Sequence, residues 1–193
     1  MKAENKAAAY AAGVFLILYT LPYSFGTLLD LSSGKLREGL NFLSLAEALL
    51  VPLVGLFLIL RKPKIAAILM TASVLAVFIS ILPQLPEYFK VEGGMISVEI
   101  SGDYIVHMPA FLGLTPLLML LSVLLFAVML FFRGPALLVL AILAVLFMVA
   151  STLFQFQMLY YLPGHPTLIH FSNPFNFVMA AIFASRWLLS VDS

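Results

Sequence analysis

Six apolar runs, each close to twenty residues long, constrain this chain more than any other feature. A helix needs about 20 largely apolar residues to cross the hydrocarbon core of a bilayer. Charged or turn-forming residues separate the runs. The pattern predicts one membrane domain, an all-α integral membrane protein with a six-transmembrane-helix bundle. The predicted spans are about 7–29, 41–60, 64–82, 110–132, 135–158 and 168–190.

The composition agrees with lipid as the main solvent. Hydrophobic residues make up 63% of the 193 residues and charged residues 10%, whereas apolar residues are about 45–50% of soluble domains. The chain has no Cys, which excludes disulfides, thiolate metal sites and Cys nucleophiles. Its net charge of +1 supplies no basic field for nucleic acid. We therefore expect membrane lipids around the chain, and no nucleic acid.

The distribution of Lys and Arg predicts the orientation. Two short connections, RKPK (61–64) and RGP (133–135), combine cations with Pro, which ends one helix and begins the next. With the N-terminus inside, cations concentrate on the inner side, so both termini are expected in the cytoplasm of a cell-membrane protein. The inner cations are Lys2, Lys6, Arg61, Lys62, Lys64, Arg133 and Arg186, and the outer ones are Lys35, Arg37 and Lys90.

One outer loop, residues 88–108, is long enough to have structure of its own. Apolar and β-branched residues alternate there with polar ones, and EGG and SGD supply turn residues. This pattern predicts a small β-hairpin cap on the extracytoplasmic face. An irregular loop of strand-like composition is the alternative.

Polar side chains fall mainly in the outer halves of the spans. An unsatisfied polar group in hydrocarbon is costly, so these side chains should converge on each other, on water or on a ligand. Glu47 is the most informative, because an ionisable group well inside a span indicates function. A protonated Glu47 that only bonds between helices is the structural alternative. The candidates for a ligand or proton site are Glu47, Ser44, Gln155, Tyr23 and Asn173.

Prolines inside the predicted spans add possible kinks. A Pro within a continuous helix cannot donate a backbone hydrogen bond, so the carbonyl four residues earlier loses its usual partner. Neighbouring helices can instead satisfy such carbonyls. The prolines are Pro22, Pro52 and Pro116, and the carbonyls are those of Leu18, Ala48 and Leu112.

The three histidines are all predicted on the outer side. His165 lies between Gly and Pro in a turn, where we expect it to be solvated. His107 precedes span four and His170 begins span six, so the two could hold a haem b between helix ends. Zinc or copper bound by the histidines and Glu47 is a further alternative, although the 165-to-170 spacing fits no strong metal motif.

Three functions are open on the sequence alone. The leading hypothesis is a membrane-embedded subunit or ligand-binding module with an outer-half site for haem, quinone or a lipid-like ligand. Its partners would be membrane or extracytoplasmic subunits, and AAAYAAG (7–13) is a candidate surface for close packing against them. The alternatives are a small proton-linked transporter or channel using Glu47 and a membrane enzyme with an outer His/Glu site. A transporter lacks an inner polar path, for which only Thr71, Ser73, Ser185 and Arg186 are available.

Overall fold

The computed structural model describes residues 3–32, 40–81, 91–101, 104–161 and 169–191. Six α-helices and three strands form in this part of the chain. The helices are α1 (Ala3–Ser32), α2 (Leu40–Ile59), α3 (Pro63–Ile81), α4 (Thr115–Met129), α5 (Gly134–Tyr161) and α6 (Ile169–Val191). The strands are β1 (Val91–Glu92), β2 (Met95–Ser101) and β3 (Tyr104–Pro109), and a 3-10 helix, Ala110–Leu114, leads from β3 into α4.

The helices follow the apolar runs of the sequence to within a few residues at most ends. The main difference is at the predicted fourth span, which begins as the 3-10 helix, so that α4 proper has 15 residues. Two segments, Ala110–Met129 and Gly134–Gln157, are long and apolar enough to cross a membrane. The apolar stretches Lys6–Pro22, Leu49–Ile59 and Pro63–Ile79 are shorter. The described part of the chain is therefore mostly helical, with two segments that could span a membrane.

The six helices pack as a ring in chain order. Each helix contacts its neighbours in sequence, and α6 closes the ring against α1. Helix α1 runs antiparallel to α6, since Phe15 stacks on Phe183 while Tyr19 contacts Phe177. We call the end with the turns at 60–62 and 130–133 the hairpin end, and the opposite end, next to the strands, the sheet end. Helix α1 begins and α6 ends at the hairpin end.

Small residues bring α1 and α2 into very close contact. Gly13 and Gly55 face each other, and a Cβ atom on Gly55 would lie 2.7 Å from the carbonyl oxygen of Gly13. Ala8, Ala9 and Ala12 are also buried, on the same helix as Gly13. Such small-residue contacts let helix backbones approach without side chains between them. The AAAYAAG segment, expected to contact a partner subunit, packs largely within the bundle itself.

Two serine hydroxyls connect α4 to α5. Ser122 donates to the carbonyl oxygen of Ala144 at 2.6 Å, and Ser151 donates to the carbonyl oxygen of Thr115 at 3.1 Å. Both serines are buried. Hydrogen bonds between helices stabilise bundles in apolar surroundings, so these two fix α4 against α5.

We expect Ser122→Ala to lower the free energy of unfolding by about 1 kcal/mol, because it removes a bond between helices without leaving a buried donor unpaired. SDS titration in mixed micelles measures this. Ser185→Ala is the matched control, since the Ser185 hydroxyl donates to the Ile182 carbonyl of its own helix at 2.9 Å. Equal losses in the two variants would contradict an interhelical role for Ser122.

The prolines divide into two groups. Pro22, Pro52 and Pro174 lie inside α1, α2 and α6. Pro116 instead lies in the first turn of α4, where Pro is well tolerated because its missing N–H would have no helical partner. The Leu112 carbonyl accepts the Thr115 hydroxyl at 2.7 Å. Of the two alternatives, a carbonyl left without a partner or one satisfied by nearby groups, the second holds for Leu112.

The strands form a three-stranded antiparallel sheet in the order β1-β2-β3. Gly93 and Gly94 connect β1 to β2 with φ values of 60° and 81°, which glycine adopts without the steric cost of a side chain. Ala110 N–H donates to the Gly94 carbonyl at 3.0 Å and so ties this turn to the start of the 3-10 helix. The sheet thus lies at the beginning of α4.

Candidate ligand-binding cavity

A cavity of about 250 Å³ lies inside the ring, and all six helices line it. Because the helices follow one another around the ring, each reaches the cavity from a different side. The lining residues lie near the middle of α1, α2, α3 and α4, near the start of α6, and in the second half of α5. One from each helix, in chain order, is Tyr19, Val51, Ser73, Met119, Gln155 and Pro174.

The wall of the cavity is mainly aliphatic and thioether. Val74, Val77, Leu120 and Val123 contribute along α3 and α4. Three methionines, Met70, Met119 and Met148, come from three consecutive helices. Methionine side chains are flexible and polarizable, so they adapt to ligands of different shape. The wall therefore suits an apolar molecule more than a hydrated solute.

Five polar side chains interrupt this wall, and two of them are bonded within their own helices. Thr20 donates to the Ile17 carbonyl at 3.0 Å, and Thr152 donates to the Met148 carbonyl at 2.7 Å. Such bonds satisfy a hydroxyl inside an apolar helix. The threonines therefore offer a ligand little more than a spare acceptor oxygen. The polar lining residues are Tyr19, Thr20, Ser73, Thr152 and Gln155.

Ser73 and Gln155 differ from the threonines. Ser73 is only 3% exposed, and neither its hydroxyl nor the Gln155 amide hydrogen-bonds to another residue that the structure describes. Both side chains line the cavity, so their polar atoms are open to water or to a ligand there. The two side chains belong to α3 and α5, which are not adjacent in the ring. They can therefore bind a polar group of a ligand, or water, from separate sides.

Aromatic side chains close the cavity toward the hairpin end. Phe126 and Phe177 are fully buried with ring centroids 5.4 Å apart, and Tyr19 lies 5.3 Å from Phe177. Phe126 follows the lining residue Val123 by three residues toward the hairpin end, and Phe177 follows Pro174 in the same way. We call Tyr19, Phe126 and Phe177 the aromatic floor. Aliphatic side chains fill the core beyond it.

Of the five residues predicted for a ligand or proton site, Gln155 lines the cavity. Glu47 and Ser44 precede Val51 on α2, Tyr23 follows Tyr19 by one helical turn, and Asn173 is next to Pro174. The side chains of these four lie outside the described part of the structure. Their roles stay predictions, and their backbones lie within two helical turns of a lining residue.

His107 is the one histidine whose side chain the structure describes, and it does not line the cavity. His107 is on the exposed surface of β3, opposite Ser97 of β2, and its Nδ1 is 2.9 Å from the Ser97 hydroxyl oxygen. His165 lies outside the described residues, as does the side chain of His170. Within the described residues, no group of three His, Cys, Asp or Glu side chains could hold a metal ion. The haem and metal sites therefore stay predictions.

Ser73 lines the cavity, although the predicted topology places it in the inner half of its span, away from the predicted polar site. Met70, Ser73, Val74 and Val77 follow the i, i+3, i+4, i+7 spacing of one helix face. That spacing is visible in the sequence. Nothing in the sequence indicates that this face, and not another, points into a cavity.

The cavity has the properties of a binding site for one small amphipathic molecule. Its volume exceeds the roughly 150 Å³ of an engineered cavity that binds benzene and approaches the roughly 300 Å³ at which ligand pockets begin. A substituted single ring fits this space, whereas a porphyrin does not, and none of the described lining residues is a histidine. Comparison with protein-family models, curated proteins and solved structures finds no match for this chain.

Proposed function

We propose that this chain is a polytopic protein of the cell membrane that binds a small lipid-like ligand in its central cavity. Large apolar side chains are exposed on every helix of the ring. A soluble monomer rarely exposes apolar patches of more than a few hundred Å². Only 29% and 28% of the two candidate membrane-spanning segments are buried within the protein, whereas the core helix of a soluble protein is mostly buried.

The helix lengths support six spans. Five helices have 19 to 30 residues, and α4 together with its 3-10 helix covers 20 residues, Ala110–Met129. At 1.5 Å per residue, a helix of about 20 residues spans the hydrocarbon core. Four further helices of suitable length thus join the two candidate spans in the same ring.

The exposed cations support the orientation. Described cationic side chains concentrate at the hairpin end, together with the start of α1 and the end of α6. The positive-inside rule places this end in the cytoplasm. The cavity then lies near the middle of the bilayer, and the sheet lies outside the membrane. The exposed cations are Lys6, Arg61, Lys62, Lys64, Arg133 and Arg186.

The observation that carries the proposed ligand is the pairing of Ser73 and Gln155 with apolar walls. A quinone head group, or the polar head of a small lipid, presents oxygen atoms on an apolar body. Ser73 and Gln155 each offer a hydrogen-bond donor to such oxygens, and the methionine and valine wall covers the remainder. Haem does not suit this cavity, because a porphyrin exceeds its volume and none of the described lining residues is a histidine.

The proton-linked transporter remains the second candidate, with Glu47 as its proton site. Transport would require a route past the aromatic floor, which closes the cavity toward the cytoplasmic side. A membrane enzyme has less support, because none of the described lining residues is a His or a carboxylate. The ligand-binding module is therefore the function that the described site supports best.

We expect Gln155→Leu and Ser73→Val each to weaken binding of a short-chain benzoquinone by up to about tenfold, because each removes one hydrogen bond worth about 1 kcal/mol. Isothermal titration of the full chain in nanodiscs measures this, with a short-chain monoacylglycerol as the second probe. The controls are Gln157→Leu, an exposed amide on α5, and Thr71→Val, whose hydroxyl bonds the Ala67 carbonyl. Binding of neither probe, or equal weakening by the controls, would overturn the proposed site.

A further inference from the structure

The cavity is elongated along the helices. The two serine bonds between α4 and α5 fix the register of these antiparallel helices, since each donor lies close to its acceptor carbonyl. Ser122 is level with Ala144, so the lining residue Val123 is level with Leu143 on α5. Gln155 lines the cavity twelve residues further along α5, which is about 18 Å at the rise of an α-helix. The cavity is therefore a slot that runs parallel to the helix axes.

Gln155 lies at the end of this slot that is nearer the sheet. The ring of its neighbour Phe154 packs against Phe111 of the 3-10 helix, with centroids 5.5 Å apart. The 3-10 helix comes before the first turn of α4, so Gln155 is beyond the level at which α4 begins. It is also the lining residue of α5 nearest to the C-terminal end of that helix. The Gln155 amide is thus the hydrogen-bonding group at the sheet end of the cavity.

Ser73 lies at the other end of the slot, level with the aromatic floor. The turn between α2 and α3 is at residues 60–62, so Ser73, twelve residues after the middle of this turn, is level with Leu49, twelve residues before it. Leu49 is in turn level with Tyr19 on α1, since each lies six residues from the facing glycines toward the sheet end. Tyr19 belongs to the aromatic floor. The buried Ser73 hydroxyl is therefore the hydrogen-bonding group at the closed end of the cavity.

The Ser73 and Gln155 side chains are too far apart for one compact polar head. Val123 is one turn from Phe126 of the aromatic floor, so the length of the slot also approximates the axial separation of Ser73 and Gln155. Side chains lean toward the N-terminus of their helix, which moves the Gln155 amide toward the floor and leaves more than about 10 Å between the two groups. The wall between them is methionine and valine, apart from Thr152, whose hydroxyl bonds within α5.

We infer that the ligand lies lengthwise in the ring and carries a polar oxygen at each end, one bound by Gln155 and the other by Ser73. This inference rests on the proposed function and specifies its ligand as a two-ended molecule. A para-quinone, whose oxygens lie on opposite sides of one ring, is a compact member of this class, and a chain with a hydroxyl at each end is a longer one. A lipid with a single polar head would displace water from one of the two side chains without replacing its hydrogen bonds, and such displacement loses affinity.

Two isomers of decanediol test this inference, because they differ only in the position of the second hydroxyl. One isomer carries a hydroxyl at each end of the chain, and the other carries both hydroxyls on neighbouring carbons at one end. Each isomer competes with the short-chain benzoquinone for the full chain in nanodiscs, and empty nanodiscs correct for partition into lipid. The variants are Ser73→Val and Gln155→Leu, and Thr71→Val is the matched control on α3, since the Thr71 hydroxyl bonds within its own helix.

We expect the two-ended isomer to bind about tenfold tighter than the one-ended isomer, because only the two-ended isomer hydrogen-bonds to Ser73 and Gln155 at once. Ser73→Val and Gln155→Leu should each remove this preference, and Thr71→Val should keep it. Equal binding of the two isomers, or a preference that survives both cavity substitutions, would overturn the lengthwise ligand. Absence of benzoquinone binding to the unmodified chain would instead show that the proposed function fails.

Discussion

Replacing Gly13 by Ala should lower the free energy of unfolding by about 3 kcal/mol, at the upper end of overpacking costs, because α1 and α2 have no space for a side chain at this point. The new Cβ would overlap the carbonyl oxygen of Gly55 and lie 2.5 Å from Cγ1 of Ile59. A backbone carbonyl cannot swing aside as a side chain can, so the helices have to separate. In an exposed helix the same change raises the free energy of unfolding by about 0.5–1 kcal/mol. Whether Gly13→Ala raises or lowers this free energy therefore shows whether α1 and α2 meet at this glycine.

Two further variants make the test of this contact specific. Gly55→Ala should cost a similar amount, since its Cβ would lie 2.6 Å from Cγ1 of Ile17 and 2.7 Å from the Gly13 carbonyl oxygen. Ala7→Leu, at an exposed position of α1, should change stability little. SDS titration in mixed micelles compares the three. Stabilisation by Gly13→Ala would show that α1 and α2 do not meet at these glycines.

Phe177→Ala is expected to have the second large effect, a loss on the order of 3 kcal/mol. Phe177 is fully buried between Phe126 and Tyr19, with ring centroids at 5.4 and 5.3 Å. Its removal leaves a void that close-packed neighbours cannot fill. The loss falls at the lower end for buried aromatics, because in a ring that spans a membrane, as proposed, the variant loses packing but little burial from water.

The control for Phe177 is two residues away on the same helix. Phe175 is 58% exposed, and its ring meets Phe15 only at an edge, with centroids 6.4 Å apart. Phe175→Ala should therefore cost well under half as much in the same micelle titration. If the two alanine variants lose equal stability, the aromatic floor does not support the bundle.

Helix positions were largely predictable from the sequence, because long apolar runs and their charged boundaries are local features. The turns at RKPK and RGP are examples, since cations and Pro stop one helix and start the next. Helix α4 was less predictable. Whether residues 110–114 continue the helix or form a 3-10 helix depends on the preceding β-strand and on the Thr115 hydroxyl bond to Leu112, and periodicity does not report either.

The cavity was predictable only in part. Gln155 is polar and lies in an apolar span, so the cost of burying its amide indicated a site. Ser73 was harder to assign, because a single serine in a long helix normally bonds its own backbone. Its role depends on how α3 is rotated within the ring, which is set by contacts with α2 and α4. Those contacts join residues far apart in sequence.

Closure of the ring by α6 has a consequence for biosynthesis. Helix α1 is synthesised before the other described helices and its packing partner α6 after them, so the Phe15 and Tyr19 rings lack their α6 contacts until α6 has been synthesised. If the ring spans a membrane as proposed, α1 to α5 wait in the insertion machinery or in lipid with one side of α1 uncovered. A nascent chain stalled before Ile169 should therefore be a preferred substrate for membrane quality-control proteases, whereas the released chain should resist them.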